Sequence, residues 1–429
     1  MTALQPTIRR GNWTDLMASP VRIPAAEAFD TRRSLIFAHA GFIICMIFQR
    51  FGHMFGGSAL FFSLPAFGLL LGWAVATGIA TVRERGAALY MMFAGWTLIA
   101  TLYALLAPDA RFGTSLTSLL AILLTYGFTV LGPGSRFDRA VIFPVFLFYT
   151  RLCAVLGIIQ WVIQFGGVRI FSFMLTVPPL RPVLIESQFN FNPTLHYGSS
   201  ILRSNGFFLI EPSVFSQTLA IAIVLDYFIL GRAKYLPLYL LAYLLSFSGT
   251  GALTLALAVP FYACLSAKNF GRVAGLLIAG ALGLAVASVA FPEQVGSLTS
   301  RVNELNYSGS SGYARFIGPF LPISDLMQEG RILIGWGPGA TERYLYHVEG
   351  TGNSIAKLVM DYGLIGIGAF IVMFLGTLWR RDYAILSVLA FTTFVVGGGY
   401  LLFTPILVLL MLLCIWSGLP EERIRSAER

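Results

Sequence analysis

Two passages of this sequence set arginines, carboxylates and a histidine beside the starts of apolar runs. The first reads Arg203-Ser-Asn-Gly-Phe-Phe-Leu-Ile-Glu211-Pro212-Ser213. Proline is favoured at the first position of a helix, so Glu211 falls where an N-cap belongs. Two readings of Glu211 stand side by side: it caps the helix, or it is a carboxylate held beside Arg203 at a positive helix end, available for acid–base work. The second passage has the same design. Gly312-Tyr313-Ala314-Arg315 is followed by a glycine-rich stretch, then by His347-Val-Glu349-Gly-Thr-Gly-Asn353-Ser354-Ile-Ala-Lys357 and Asp361-Tyr-Gly-Leu-Ile-Gly366. Asn353 or Ser354 is expected to cap a helix, with Lys357 one turn inside it. Two arginine-bearing loops that each end in a capped helix could clamp a doubly charged headgroup.

Other chemistries lack their residues. There is no G-x-x-x-x-G-K-[ST] loop, no G-x-G-x-x-G after a strand and no pair of aspartates two apart, so neither ATP nor a nucleotide sugar is expected as direct substrate. No H-E-x-x-H or spaced His/carboxylate cluster is present, and no metal or other cofactor is expected. The stretch Gly335-Trp336-Gly337-Pro338-Gly339 has no following lysine and reads as a tight turn. Cys45, Cys153, Cys264 and Cys414 lie in apolar runs without metal or disulfide spacing and read as packing residues. His196 reads as a surface residue, and His39 and His53 as packing or interfacial ones.

The elements that must position these residues follow from composition. With 429 residues, 57% hydrophobic and 11% charged, the chain carries more apolar surface than a water-soluble fold can hide. Its net charge of +9 belongs to a membrane protein, where arginine flanks spans and meets anionic groups, and no nucleic-acid partner is expected. Apolar runs near 20 residues predict spans at 34–50, 58–80, 87–107, 114–131, 140–165, 212–230, 235–248, 251–266, 273–291, 359–379, 383–398 and 400–417. The pair around Ser246-Phe-Ser-Gly-Thr-Gly251 could be a hairpin of two short helices. The expected fold is an all-α polytopic membrane protein of about 12 transmembrane helices.

With the N-terminus inside, every inner loop is basic: Arg83 and Arg85, Arg136 and Arg139, Arg232 and Lys234, Lys268 and Arg272, Arg380 and Arg381, then Arg423, Arg425 and Arg429. Residues 1–33 are then a cytoplasmic segment, 34–417 the transmembrane domain and 418–429 a cytoplasmic tail. The polar start is the wrong order for a cleaved secretory signal, and no cleavage is expected. Two long loops, about 166–211 and 292–358, fall outside and hold both passages described above.

Arg203-x-x-Gly206 with Glu211-Pro212-Ser213, Ser246-Phe-Ser-Gly-Thr-Gly251, Arg315, Gly335-x-Gly337-Pro338-Gly339, and Asn353 ahead of Tyr362-Gly363-Leu-Ile-Gly366 occur in an order that resembles the O-antigen ligases and Wzy-type polysaccharide polymerases. The likeness covers roughly the C-terminal half and points to the exopolysaccharide polymerases within that group. It implies a GT-C-like fold and a metal-independent glycosyltransferase in the bacterial inner membrane, with both termini cytoplasmic. The implied substrate is an undecaprenyl-diphosphate-linked oligosaccharide, met at the periplasmic face. Membrane lipids, a chain-length regulator and export proteins are the implied partners. Ligases commonly carry a histidine immediately before the asparagine; here that position is Gly352, which leaves Glu211, His347 and Glu349 as candidate bases.

A sugar leaving from a diphosphate departs as an anion, so charge stabilisation can replace the acid of a glycosidase. On this resemblance Arg203, Arg315 and Lys357 are assigned to the diphosphate, because guanidinium forks match phosphate oxygens and stay charged near lipid. Tyr313 and Asn353 are assigned to substrate binding. A ligase is the nearest alternative, and a transporter of polysaccharide or lipid-linked sugar the next; the latter is disfavoured because no half-to-half repeat is visible and the ionisable residues gather at one face.

Overall fold

The structure is a computed structural model; it describes residues 29–419 except 56–57, 108–112, 171–176, 186–193, 196–198, 266, 291, 293–295, 297–309 and 346–352. A helix stands in each of the twelve apolar intervals. They are α1 (Thr31–Phe42), α2 (Ser63–Ala76), α3 (Glu84–Leu106), α4 (Leu116–Gly127), α5 (Ile142–Ile163), α6 (Pro212–Ile223), α7 (Leu236–Ser246), α8 (Gly249–Leu265) and α9 (Ala267–Ala290), then, after three short helices α10 (Ser311–Phe316), α11 (Ile323–Gln328) and α12 (Ala340–Leu345), α13 (Ser354–Leu378), α14 (Ala384–Val396) and α15 (Thr404–Met411). Among the described residues, four helical stretches are long and apolar enough to cross a membrane: Glu84–Leu106, Arg139–Gly166, Pro212–Ile229 and Ser354–Leu378. Seven shorter apolar helices accompany them.

Large apolar side chains face outward along whole helices. Leu106 on α3 is 81% exposed and Val289 on α9 is 86% exposed, with Leu102, Leu277, Leu282 and Val286 exposed on the same two helices. A soluble protein cannot carry patches of this extent, and here they are the lipid-facing surface of a helical membrane protein. Inward, Phe370 of α13 is fully buried and meets Phe93, Tyr126 and Phe394 at centroid distances of 5.5, 5.1 and 5.3 Å. This aromatic hub ties α3, α4, α13 and α14 together by large buried areas and edge or stacked ring contacts.

Two details depart from a purely helical reading. Residues 58–61, assigned by hydropathy to the second span, form strand β2 (Ser58–Phe61), which pairs antiparallel with β1 (Gly52–Phe55). Strands β3 (Ala80–Val82) and β4 (Leu131–Pro133) make a second antiparallel ribbon at the start of α3. Helices α7 and α8 are the two short helices expected around residues 246–251, broken where Phe247 adopts a left-handed φ of 44°.

Helix α13 is interrupted at Gly363, whose φ of 72° and ψ of −174° no helix interior has. The glycine-rich stretch fits into this break: Trp336 N–H donates to the Met360 carbonyl at 2.7 Å and Gly337 N–H to the Asp361 carbonyl at 3.0 Å. A Cβ on Gly363 would lie 2.2 Å from the Leu333 carbonyl oxygen, and one on Gly335 2.7 Å from that of Asp361. Glycines here permit both the conformation and the close backbone approach. The expected tight turn therefore supplies hydrogen-bond partners to a broken helix, the arrangement that makes irregular backbone tolerable inside a membrane protein.

Candidate functional site

At the start of α6, Glu211 occupies the N-cap position with extended backbone, yet its side chain makes no capping hydrogen bond. Its Oε2 accepts from the Ser213 hydroxyl at 2.6 Å and lies 3.7 Å from Nη2 of Arg315. Of the two readings of Glu211, the capping one does not hold: the carboxylate turns toward a guanidinium more than a hundred residues later in the chain. Glu211 and Arg315 side chains are 16% and 21% exposed, partly shielded from solvent but reachable.

Arg315 is fixed from three sides. Its Nη1 donates to the Thr250 hydroxyl at 3.2 Å, which places the Ser246–Gly251 segment in the site. Its backbone carbonyl accepts from Asn353 Nδ2 at 3.3 Å. Its own helix, α10, is capped by Ser310, whose hydroxyl accepts from Tyr313 N–H at 3.1 Å. Asn353 does cap α13, through Ile355 N–H at 2.9 Å, and Ser354 does not. Asn353 is 2% exposed, and its amide also donates to the Val395 carbonyl at 3.4 Å, so it pins Arg315 and α14 to one helix start.

Three residues at the site carried no functional reading in the sequence. Arg50 is fully buried, donates to the carbonyls of Leu209 and Ile210 at 2.7 and 3.4 Å, and lies within electrostatic reach of Glu211. Gln49 accepts from Ile210 N–H at 3.0 Å. Together they hold the chain that delivers Glu211. The Tyr400 hydroxyl, donating to Gln217 at 2.6 Å, lies in the field of both Glu211 and Arg315. A signal for Arg50 existed: it ends the first apolar run, which under the expected topology is the side where positive-inside statistics disfavour arginine.

Arg203 donates from Nη2 to the Leu195 carbonyl at 2.7 Å. The cleft it lines is formed with Gln160, Trp161, Gln164, Ile170, Leu202 and Ser204, and Arg315 is not among its walls. Both arginine-bearing segments nonetheless flank one turn, since Ser204 N–H donates to the Leu245 carbonyl at 3.0 Å while Arg315 reaches Thr250. Lys357 is placed elsewhere: Nζ lies 2.5 Å from Asp361 and 2.8 Å from Glu342. Asp361 accepts in addition from Thr341 N–H and Oγ1 at 3.1 and 2.8 Å and from Gly339 N–H at 3.2 Å. Lys357, expected at the diphosphate, thus neutralises the carboxylate that anchors the glycine-rich stretch. Desolvation raises the Glu342 carboxyl, but the charge and hydrogen bond of Lys357, its own backbone hydrogen bond and the Arg343 charge together outweigh it and hold Glu342 below the ordinary glutamate range. His347 and Glu349 lie outside the described residues.

The arrangement offers a partly exposed carboxylate beside one reachable guanidinium and in the field of a second, buried one, at the start of a helix. Such a site can accept a proton while its cations meet an anion. Among the described residues, no group of three or more histidines, cysteines and carboxylates is placed to hold a metal. No family model, curated protein or solved structure matches the chain.

Proposed function

We propose that this membrane protein is an exopolysaccharide polymerase, a glycosyltransferase that joins polyprenyl-diphosphate-linked oligosaccharide repeat units at the periplasmic face of the inner membrane. One observation carries the reading: Arg315 bridges Glu211 and Thr250 while Asn353 holds its backbone, so four motifs far apart in sequence meet around one carboxylate–guanidinium pair. In this reading the membrane is crossed about twelve times, with both termini cytoplasmic.

Among the described residues, Glu211 is the best-placed base. It takes the proton of an acceptor sugar hydroxyl as that oxygen forms its bond to the donor's anomeric carbon. The bond from that carbon to the diphosphate oxygen breaks, and polyprenyl diphosphate leaves with the electron pair. Arg315 stabilises the leaving anion, and Arg50 supplies a fixed positive field behind Glu211. Arg203 and Tyr313 remain assigned to the substrate side of this region, while Asn353, buried and fully engaged, serves to hold Arg315 in place.

The test is reconstitution. Purified full-length protein given only lipid-diphosphate-linked repeat units, without nucleotide and in the presence of a chelator, is expected to yield a ladder of longer chains. Arg315→Ala is expected to abolish the ladder while the protein still inserts. Single transfers to a different lipid acceptor would assign it as a ligase, and an undiminished ladder in the arginine variant would remove the site.

A further inference from the structure

Glu211 and Arg315 are joined by a closed ring of contacts as well as by their direct approach. Glu211 Oε2 accepts from the Ser213 hydroxyl at 2.6 Å, and the Ser213 carbonyl accepts from the Ser216 hydroxyl at 2.8 Å. The Ser216 oxygen, its own proton already donated, accepts from Gly251 N–H at 3.1 Å. The residue before Gly251 is Thr250, whose hydroxyl accepts from Arg315 Nη1 at 3.2 Å, and Arg315 Nη2 returns to Glu211 at 3.7 Å. We infer that Ser216 is a positioning residue for the transfer reaction: by docking the first turn of α8 on α6 it sets the separation of Arg315 from Glu211, a role that rests on the reading of Glu211 as base and Arg315 as the cation for the leaving diphosphate.

Each step of this docking has a physical cause. The first N–H groups of a helix find no acceptor within it, and Gly251 is the third residue of α8. Ser248 Oγ accepts from Thr250 N–H at 3.4 Å, and Ser216, fully buried on α6 five residues after Glu211, accepts from the next one. Glycine makes the approach possible, since a Cβ on Gly251 would collide with the Ser216 carbonyl oxygen. The following residue of α6 repeats the contact one turn further along α8. Gln217, also fully buried, donates to Thr254 Oγ1 at 3.4 Å, and Thr254 Oγ1 donates to the Thr250 carbonyl at 2.9 Å. The Tyr400 hydroxyl, donating to Gln217 Oε1 at 2.6 Å, fixes which way that amide faces. Thr250 is thereby held at its N–H, its carbonyl and its hydroxyl. The ion pair does not set this geometry itself: a charge-assisted N–H···O bond closes to about 2.7–2.9 Å, and the 3.7 Å between Arg315 and Glu211 is a separation imposed by the frame around them. A serine that only joined α6 to α8 would lower stability when lost and leave Arg315 where it is.

The experiment reads Arg315 twice in the full chain, once without substrate. Purified Ser216→Ala is treated with phenylglyoxal, which forms adducts with guanidinium groups, and the adduct at each arginine is followed by peptide mass spectrometry. Arg315 is expected to react several-fold faster than in wild type, while Arg203, held by the Leu195 carbonyl, keeps its rate. With lipid-diphosphate-linked repeat units, kcat per folded molecule is expected to fall roughly tenfold, the effect of one lost hydrogen bond, with KM unchanged. Ser216→Ala combined with Thr250→Val is expected to lower kcat no further than Thr250→Val alone, because both act through the same hydroxyl. Unchanged Arg315 reactivity in Ser216→Ala, an unchanged kcat in protein that forms chains, or an equal added loss in both backgrounds would each overturn the proposal. If wild-type protein forms no chains while Arg315 reactivity rises in Ser216→Ala, the placement by Ser216 stands and the reading of the reaction falls. Should Ser216→Ala not fold, Ser216→Cys, which keeps the shape and offers only a weak acceptor, decides by the same two readouts.

Discussion

Arg315 reaches Glu211 with one terminal nitrogen and Thr250 with the other, at 3.7 and 3.2 Å, a geometry that uses the whole guanidinium fork. Lysine at this position keeps the charge and loses one of the two contacts, so Arg315→Lys is expected to retain measurable polymer formation. Arg315→Ala, which on the proposed function removes the cation that would meet the departing diphosphate, is expected to lower the rate by about two to three orders of magnitude. Glu211→Gln preserves shape and the Ser213 contact but cannot accept a proton. Its ladder formation is expected to fall by roughly 10²–10⁴-fold, measured with purified protein and lipid-linked repeat units. A wild-type rate in Glu211→Gln alongside inactive Arg315→Ala would move the base to His347 or Glu349 and leave the anion site in place.

At the scale of elements, the break in α13 and the stretch that fills it form one unit. Gly363→Ala sets a Cβ against the Leu333 carbonyl at a φ of 72°, so the strain of a non-glycine residue there adds to a collision. A loss of at least about 1–3 kcal/mol is expected, read as a lower Tm of detergent-solubilised protein. Lys357→Met leaves Asp361, which is fully buried, without its cation. The expected cost is about 3–5 kcal/mol, and Lys357→Met with Asp361→Asn together should recover part of it. Recovery of stability in that pair would identify Lys357 as a structural counter-ion. The helix intervals were legible because burial in lipid demands long apolar runs, and Asn353 was legible as a cap because capping is local. What hydropathy cannot carry is pairing between distant segments. Glu211 looked equally like a cap because nothing near it in sequence announces Arg315, and Lys357 looked available because Glu342 closes on it only in the folded chain, although its other partner, Asp361, lies one turn further along the same helix. Arg50 carried no reading at all, being only the last residue of the first apolar run, although the chain before Glu211 hangs on it.

Across the whole molecule, charge is organised in three tiers. The Glu211 site stands at the start of α6, and Arg83, Arg139 and Arg380 line a cavity beside the C-terminal end of α13. Between them Arg151 of α5 contacts Asp226, which is 1% exposed, at 2.7 Å, and the Tyr239 hydroxyl of α7 donates to the same carboxylate at 2.7 Å. Arg151 also lies 3.5 Å over the Tyr235 ring. Ionisable groups within a membrane bundle persist only when paired, and this network joins α5, the π-helical end of α6 and α7 at a point where apolar packing alone would leave rotation of each helix unspecified. Asp226 lies 14 residues beyond Pro212, about 21 Å along the helix, too far to touch a substrate at Glu211. Asp226→Asn is therefore expected to cost about 3–5 kcal/mol by stranding the Arg151 charge, while Arg151→Met with Asp226→Leu costs less than the sum of the two single changes. Chain-forming rate per folded molecule should be unchanged in all three, measured on the fraction that survives size-exclusion chromatography. A drop in that rate with stability intact would show that the middle tier takes part in the transfer reaction and does more than orient the helices that frame it.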